Sequence, residues 1–154
     1  PTMRDNDLVS LMKENIKLVN EIDKSIQIEF IKNLEKIVLN SDREQISRVF
    51  FNLIKNSIES IQQKAENDSK FNKKITIELS EIDDHIYIVI IDNGIGFSKV
   101  SSNIKDILNP YFTTKKNGTG LGLSIVNKII SDHNGKIDFV PISDGAKIKI
   151  DFVK

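Results

Sequence analysis

Three short stretches carry residues whose types and spacing could do chemistry: Asn52-x-x-x-Asn56, DNGIGF at 92–97, and GTGLGL at 118–123. At about 100° per residue on a helix, Asn52 and Asn56 stand one turn apart on the same rim. Two amide oxygens so placed suit a hard cation such as Mg²⁺, which keeps several waters and takes much of its shell from substrate phosphates. The same pair also describes the solvated edge of an ordinary helix.

DNGIGF follows YIVIID, an apolar run that reads as a buried strand. A carboxylate at the end of such a strand can accept a hydrogen bond from an exocyclic amino group, which favours adenine over guanine, whose keto oxygen would face it. Asp92 would then choose the base. Gly94 and Gly96 would let backbone approach a flat ring closely. A plain Asp-Asn-Gly turn between strands is the alternative.

GTGLGL opens a helix, where free N–H groups and the positive helix end suit polyphosphate. No strand immediately precedes it, so it is not a dinucleotide fingerprint, and GxxxxGK[ST] is absent. Just before it, PYFTTKK offers aromatic anchors for a lid and Lys115 or Lys116 as a phosphate partner.

These stretches need elements to hold them. Leu8, Leu11, Met12, Ile16 and Val19 repeat at helical spacing, with Asp5, Asn6 and Asp7 available as caps. SIQIEFI alternates as a half-buried strand, and KIVLNSD is a second extended piece. Ser41 and Glu44 have capping-box spacing, opening a helix to about residue 64 whose stripe is Ile46, Val49, Phe50, Leu53, Ile54, Ile58 and Ile61. ITIEL and HIYIVII follow as strands, the second apolar enough to be central. Residues 97–119 read as a lid-like segment that nucleotide and Mg²⁺ should order. GLSIVNKIISDH is helical, stopped by Asn134-Gly135, and KIDFV with KIKIDFV forms a closing hairpin. Helices can cover one face of such a mixed, mostly antiparallel sheet, giving an α/β (α+β) two-layer sandwich with three helices.

The totals narrow the partners. At 154 residues the chain is expected to form one domain. Lys plus Arg balance Asp plus Glu at 22 each, so nothing calls for nucleic acid or direct membrane contact. The lack of cysteine excludes disulfides and thiolate metal sites and fits a reducing, cytoplasmic setting. His85 and His133 read as structural or exposed and not as phosphoacceptors.

In this order, NLIKNSIES, DNGIGF, PYFTTKK and GTGLGL resemble the N, G1, F and G2 boxes of the catalytic ATP-binding (GHKL, Bergerat-fold) domain of sensor histidine kinases, within the superfamily that includes gyrase, Hsp90 and MutL. Glu59 and the TTK before GTGLGL look most like the nitrogen-regulation branch. The resemblance implies ATP and Mg²⁺ as cofactors, Asn56 as Mg²⁺ ligand with Asn52 near the phosphates, and Asp92 on the adenine amino group with Gly94 and Gly96 lining the base pocket. It makes Phe112 the lid anchor, places Lys115, Gly118, Thr119, Gly120 and Gly122 around the phosphates, and makes Leu121 a packing residue at the helix start. Many relatives reach the base through water from a Thr in the final strand pair, where this chain has GAKIKID. Glu59 likewise stands where many carry a basic or aromatic residue.

Hydrolysing relatives place a Glu four residues before the metal-binding Asn; here that position is Asn52, which cannot act as a base. The resemblance therefore implies phosphoryl transfer to a protein histidine on a dimerisation domain outside this chain, and onward to a response-regulator receiver domain. The chain reads as a catalytic module that does not autophosphorylate alone, excised from a longer kinase whose membrane anchoring the sequence leaves open. A GHKL-type ATPase, a serine kinase, or a nucleotide-sensing interaction module are the alternatives.

Overall fold

The computed structural model describes residues 1–96 and 121–154. In chain order these form β1 (Met3–Asp7), α1 (Leu8–Asn20), β2 (Gln27–Lys32), β3 (Val38–Asp42), α2 (Arg43–Ala65), β4 (Lys74–Ile82), β5 (His85–Asp92), α3 (Leu121–Asp132), β6 (Gly135–Ile142) and β7 (Gly145–Val153). Five strands make one sheet in the order β2-β4-β5-β7-β6. Among the described strands only β2 and β4 run parallel, and α2 lies in the crossover that such a pair requires. As its composition suggested, β5 is central, between β4 and β7.

Side-chain alternation decides which sheet face is covered. Ile75, Ile77 and Leu79 on β4 and Ile86, Ile88 and Ile90 on β5 are buried in one cluster with the stripe of α2. Each buried Ile, Leu or Phe contributes about 1.5–3 kcal/mol. That exceeds the few tenths by which a β-branched residue disfavours helix, so an isoleucine-rich segment holds as α2. Three helices pack on one face of the mostly antiparallel sheet among the described residues, as the sequence pattern implied.

Two local expectations are corrected. Asp5 and Asn6 are not caps but members of β1, which pairs antiparallel with β3, Asp5 opposite Asn40 and Asn6 opposite Leu39. Ser41 does not cap α2, because it is held extended in the same ladder opposite Arg4, with its hydroxyl donating to Leu39 O at 2.9 Å. The adjacent Asp42 caps instead, accepting from Gln45 N at 3.1 Å. At the far end of α3, Asn134 takes the left-handed conformation (φ 59) expected of the stop signal.

Asp7 caps α1 and also fastens it to β3. Its carboxylate accepts from Val9 N at 3.0 Å, Ser10 Oγ at 2.9 Å and Ile37 N at 3.1 Å. Partial burial pushes its pKa up, but these donors outweigh that and hold it below the ordinary 3.8. Asp7→Ala should therefore lower the unfolding free energy by about 2–3 kcal/mol, the sum of a lost cap and an orphaned Ile37 N–H. Urea titration above pH 5 checks this. Because the folded pKa is the lower one, this stability is fully present above the unfolded value and is lost as pH falls through the folded value, so the two chains should converge in strong acid.

Candidate nucleotide site

Asp92 is the last residue of β5 and continues the buried register of Ile86, Ile88 and Ile90. The pattern would give that position to another isoleucine, yet a carboxylate stands there at 4% exposure. Gly94 N donates to its Oδ1 at 2.9 Å. Burial pushes its pKa above the ordinary 3.8, against the opposing pull of Gly94, Ser57, Ala146 and the Lys64 charge. A desolvated carboxylate with few partners is poised to accept from an uncharged donor entering the site.

The loop after Asp92 is fixed from three sides. Asn93 Oδ1 accepts from Lys74 N at 3.0 Å, and Lys64 Nζ donates to Asn93 O at 3.1 Å while lying 4.4 Å from the centre of the Phe71 ring. Ile95 N donates to Ser60 Oγ at 3.0 Å. A Cβ on Gly94 would fall 2.2 Å from Ser60 Oγ and 2.8 Å from Ile61 N, so α2 presses directly on this glycine. Gly96 has φ 77, and its Cβ would lie 2.5 Å from Gly145 O. The room these glycines leave is thus taken on one side by protein backbone.

Asn52 and Asn56 lie half-buried on α2, beside the fully buried Leu53 and Ile54, at the stripe's edge as their spacing implied. Ser57 continues the same helix at 2% exposure, its Oγ shielded and without a hydrogen-bond partner among the described residues. The hydroxyl is near enough to Asp92 to favour the charged carboxylate but falls short of bonding geometry with it. A buried carboxylate acceptor and an orphaned hydroxyl donor between helix and sheet are a pair that an adenine edge would satisfy.

Gly122 lies in the first turn of α3, and nothing among the described residues comes within 4 Å of where its Cβ would be. Leu121 opens that helix. Phe112, Lys115, Gly118, Thr119, Gly120 and the lid at 97–119 lie outside the described residues, apart from their place in the sequence. The described residues thus bring together Asp92, Gly94 and Gly96 with the α2 residues Ser57, Ser60 and Lys64.

Ser57, Ser60, Lys64 and Gly145 were not singled out from sequence. Ser57 had a signal, a polar residue inside an apolar stripe. Gly145 had only its place in a turn.

Both histidines have close polar partners in this fold. His133 is 6% exposed, its Nε2 accepting from Asp42 N at 3.1 Å and its Nδ1 lying 2.7 Å from Ile129 O. His85 Nδ1 sits 2.8 Å from Asp151 Oδ1. No helix among the described residues is long and apolar enough to cross a membrane.

The family described as histidine kinase-, DNA gyrase B-, and HSP90-like ATPase matches residues 41–153. Nitrogen regulation protein NtrY of Azorhizobium caulinodans is 37% identical over 111 residues, covering 71% of this chain and 14% of that protein. Sensor histidine kinase ZraS of Escherichia coli K12 is 32% identical over 133 residues, covering 85% of this chain and 26% of that one. The chain therefore spans about a quarter or less of these curated relatives. Among solved structures, the nucleotide-free catalytic domain of histidine kinase ThkA superposes with a TM-score of 0.84 at 29% identity, covering 100% of this chain and 97% of that one. ThkA in complex with the response regulator TrrA matches with a TM-score of 0.79 at 26% identity, over 99% of this chain and 42% of that one.

Proposed function

This chain belongs to the histidine kinase-, DNA gyrase B-, and HSP90-like ATPase family, and from that premise we propose that it is the ATP-binding catalytic module of a two-component sensor histidine kinase of the nitrogen-regulation type. Residues 1–154 act as one catalytic domain that holds Mg-ATP for transfer of the γ-phosphate to a histidine on a dimerisation domain. The group then passes to a response-regulator receiver domain, a partner class supported by the ThkA–TrrA complex. The working compartment is the cytoplasm.

The observation that carries this reading is the buried Asp92 carboxyl at the end of the central strand, faced by an unpaired hydroxyl. Asp92 accepts from the adenine amino group, and the backbone of Gly94 and Gly96 borders the base. Asn56 supplies an amide oxygen to Mg²⁺ and Asn52 orients the phosphates. Bound Mg²⁺ would neutralise charge on the departing diphosphate. Lys115 pairs with a phosphate, and Gly118, Thr119, Gly120 and Gly122 offer backbone N–H groups at the start of α3. Phe112 anchors the lid, and Leu121 is a packing residue at the helix start. With an amide at position 52 and no carboxylate there, no general base at that position activates water, which favours transfer over hydrolysis.

Calorimetric titration with ADP and a non-hydrolysable ATP analogue, with and without Mg²⁺, tests the reading. Micromolar binding strengthened by Mg²⁺ is expected. Asn56→Ala should remove most of the Mg²⁺ enhancement, about tenfold or more, while changing Mg²⁺-free affinity little. Equal weakening with and without the metal would assign Asn56 to packing. Adding a separately produced dimerisation domain with [γ-³²P]ATP should give acid-labile phosphohistidine on that domain, and steady ATP hydrolysis without it would favour the ATPase reading.

A further inference from the structure

Ser57 is the buried group that this mechanism leaves unused. It follows Asn56 on α2 and sits among Leu53, Ile54, Ile58 and Ile61, each 0% exposed. Alanine would fill the same space with nothing left unpaired. A hydroxyl that is 2% exposed, with no hydrogen-bond partner for its oxygen among the described residues, is unfavourable in the nucleotide-free fold. Its position is informative, because the residue one turn on, Ser60, holds Ile95 N, and Asp92 lies at the other end of that loop. On the far flank of Asp92, the β7 partner in register is Ala146, buried, which offers the carboxylate its backbone N–H and whose side chain is only a methyl group. Beside the carboxylate, then, the side-chain hydroxyl comes from α2.

An acceptor next to a donor is the complement of one purine edge. Adenine presents an amino donor beside a ring-nitrogen acceptor, whereas guanine and hypoxanthine present a keto acceptor beside a ring N–H donor. Resting on the adenine reading above, we infer that Ser57 is a specificity-determining residue whose hydroxyl donates to the adenine ring nitrogen adjacent to the amino group that Asp92 accepts from. Discrimination is then two-sided: a 6-keto purine meets the carboxylate with its oxygen and the hydroxyl with a competing donor. The hydroxyl reduces stability when the site is empty and contributes to affinity when it is filled.

The experiment compares wild type and Ser57→Ala, each titrated with ADP and with 1-deaza-ADP, which keeps the amino group but replaces that ring nitrogen by C–H. Thermal unfolding without nucleotide is recorded for both chains. Wild type should bind ADP about tenfold more tightly than the analogue, the size of one hydrogen bond. In Ser57→Ala the gap should close, because ADP affinity falls by that factor and analogue affinity does not. The nucleotide-free Tm of the variant should equal or exceed that of wild type. Unchanged ADP affinity in the variant overturns the inference, as does equal loss for both nucleotides accompanied by a lower Tm, the signature of a structural hydroxyl. Wild type binding neither nucleotide would overturn the adenine reading itself, and is distinguishable because it appears before any substitution is made.

Discussion

Asp92→Ala is expected to weaken adenine-nucleotide binding at least about 100-fold while the chain remains folded. A hydrogen bond between an ionised acceptor and a buried donor is worth about 1.5–3 kcal/mol, and the base amino group left without a partner adds its own desolvation loss. Together these correspond to about two to three powers of ten in affinity. The fold survives because Asp92 is a liability to it, its carboxyl being 4% exposed and its pKa pushed up chiefly by burial. For an acid whose folded pKa lies above its unfolded value, the folded state binds more protons in the window between them, so stability falls as pH rises through that window and then levels off. Asp92→Asn removes this term. Its stability advantage over wild type should be greatest above the raised folded pKa and should close as pH falls towards 3.8. Calorimetry at neutral pH and urea titration across the acid range measure the two effects; a variant that loses binding by unfolding would refute the assignment.

Gly145→Ala should cost the fold more than about 3 kcal/mol and impair binding with it. Its φ of 138 is one that L side chains rarely adopt, and the added Cβ would stand 1.8 Å from Asp92 O, 2.8 Å from Asp92 C and 2.9 Å from Asn93 Cα. Strain of about 1–3 kcal/mol from the dihedral alone is joined by displacement of backbone, which has no rotamer to escape into. The substitution thus strikes Asp92 from behind. Urea titration reads the loss; a drop below about 1 kcal/mol would mean that the turn and the DNGIG loop separate easily.

The central strand and α2 were legible because their apolar periodicities are long and unambiguous. Asp92 was legible as a carboxylate where a buried strand ends. The β1 strand was not, because MRDND carries no alternating apolar signal and is extended only through its ladder with Val38–Asp42. The choice between Ser41 and Asp42 as cap is of the same kind: both can cap, and pairing with Arg4 withdraws one of them. Gly94 and Gly96 were read as room for a ring. The structure places Ser60 and Gly145 in that room on one side, a contact between positions far apart that local spacing cannot reveal. Ser57 shows the limit most clearly, since its meaning depends on Asp92, which faces it from another element.

The contact between Gly145 and Asp92 also orders events during synthesis. These residues are 53 positions apart (145 − 92), and β7 must enter between β5 and β6 to bring them together. A nascent chain that has emitted β5 therefore carries an open central edge and an unsupported Asp92 until β7 emerges, and such late, non-local pairing is slow. The proposed base site is consequently complete only on a chain whose sheet is complete. Nucleotide bound there would stabilise finished molecules by mass action and leave intermediates untouched.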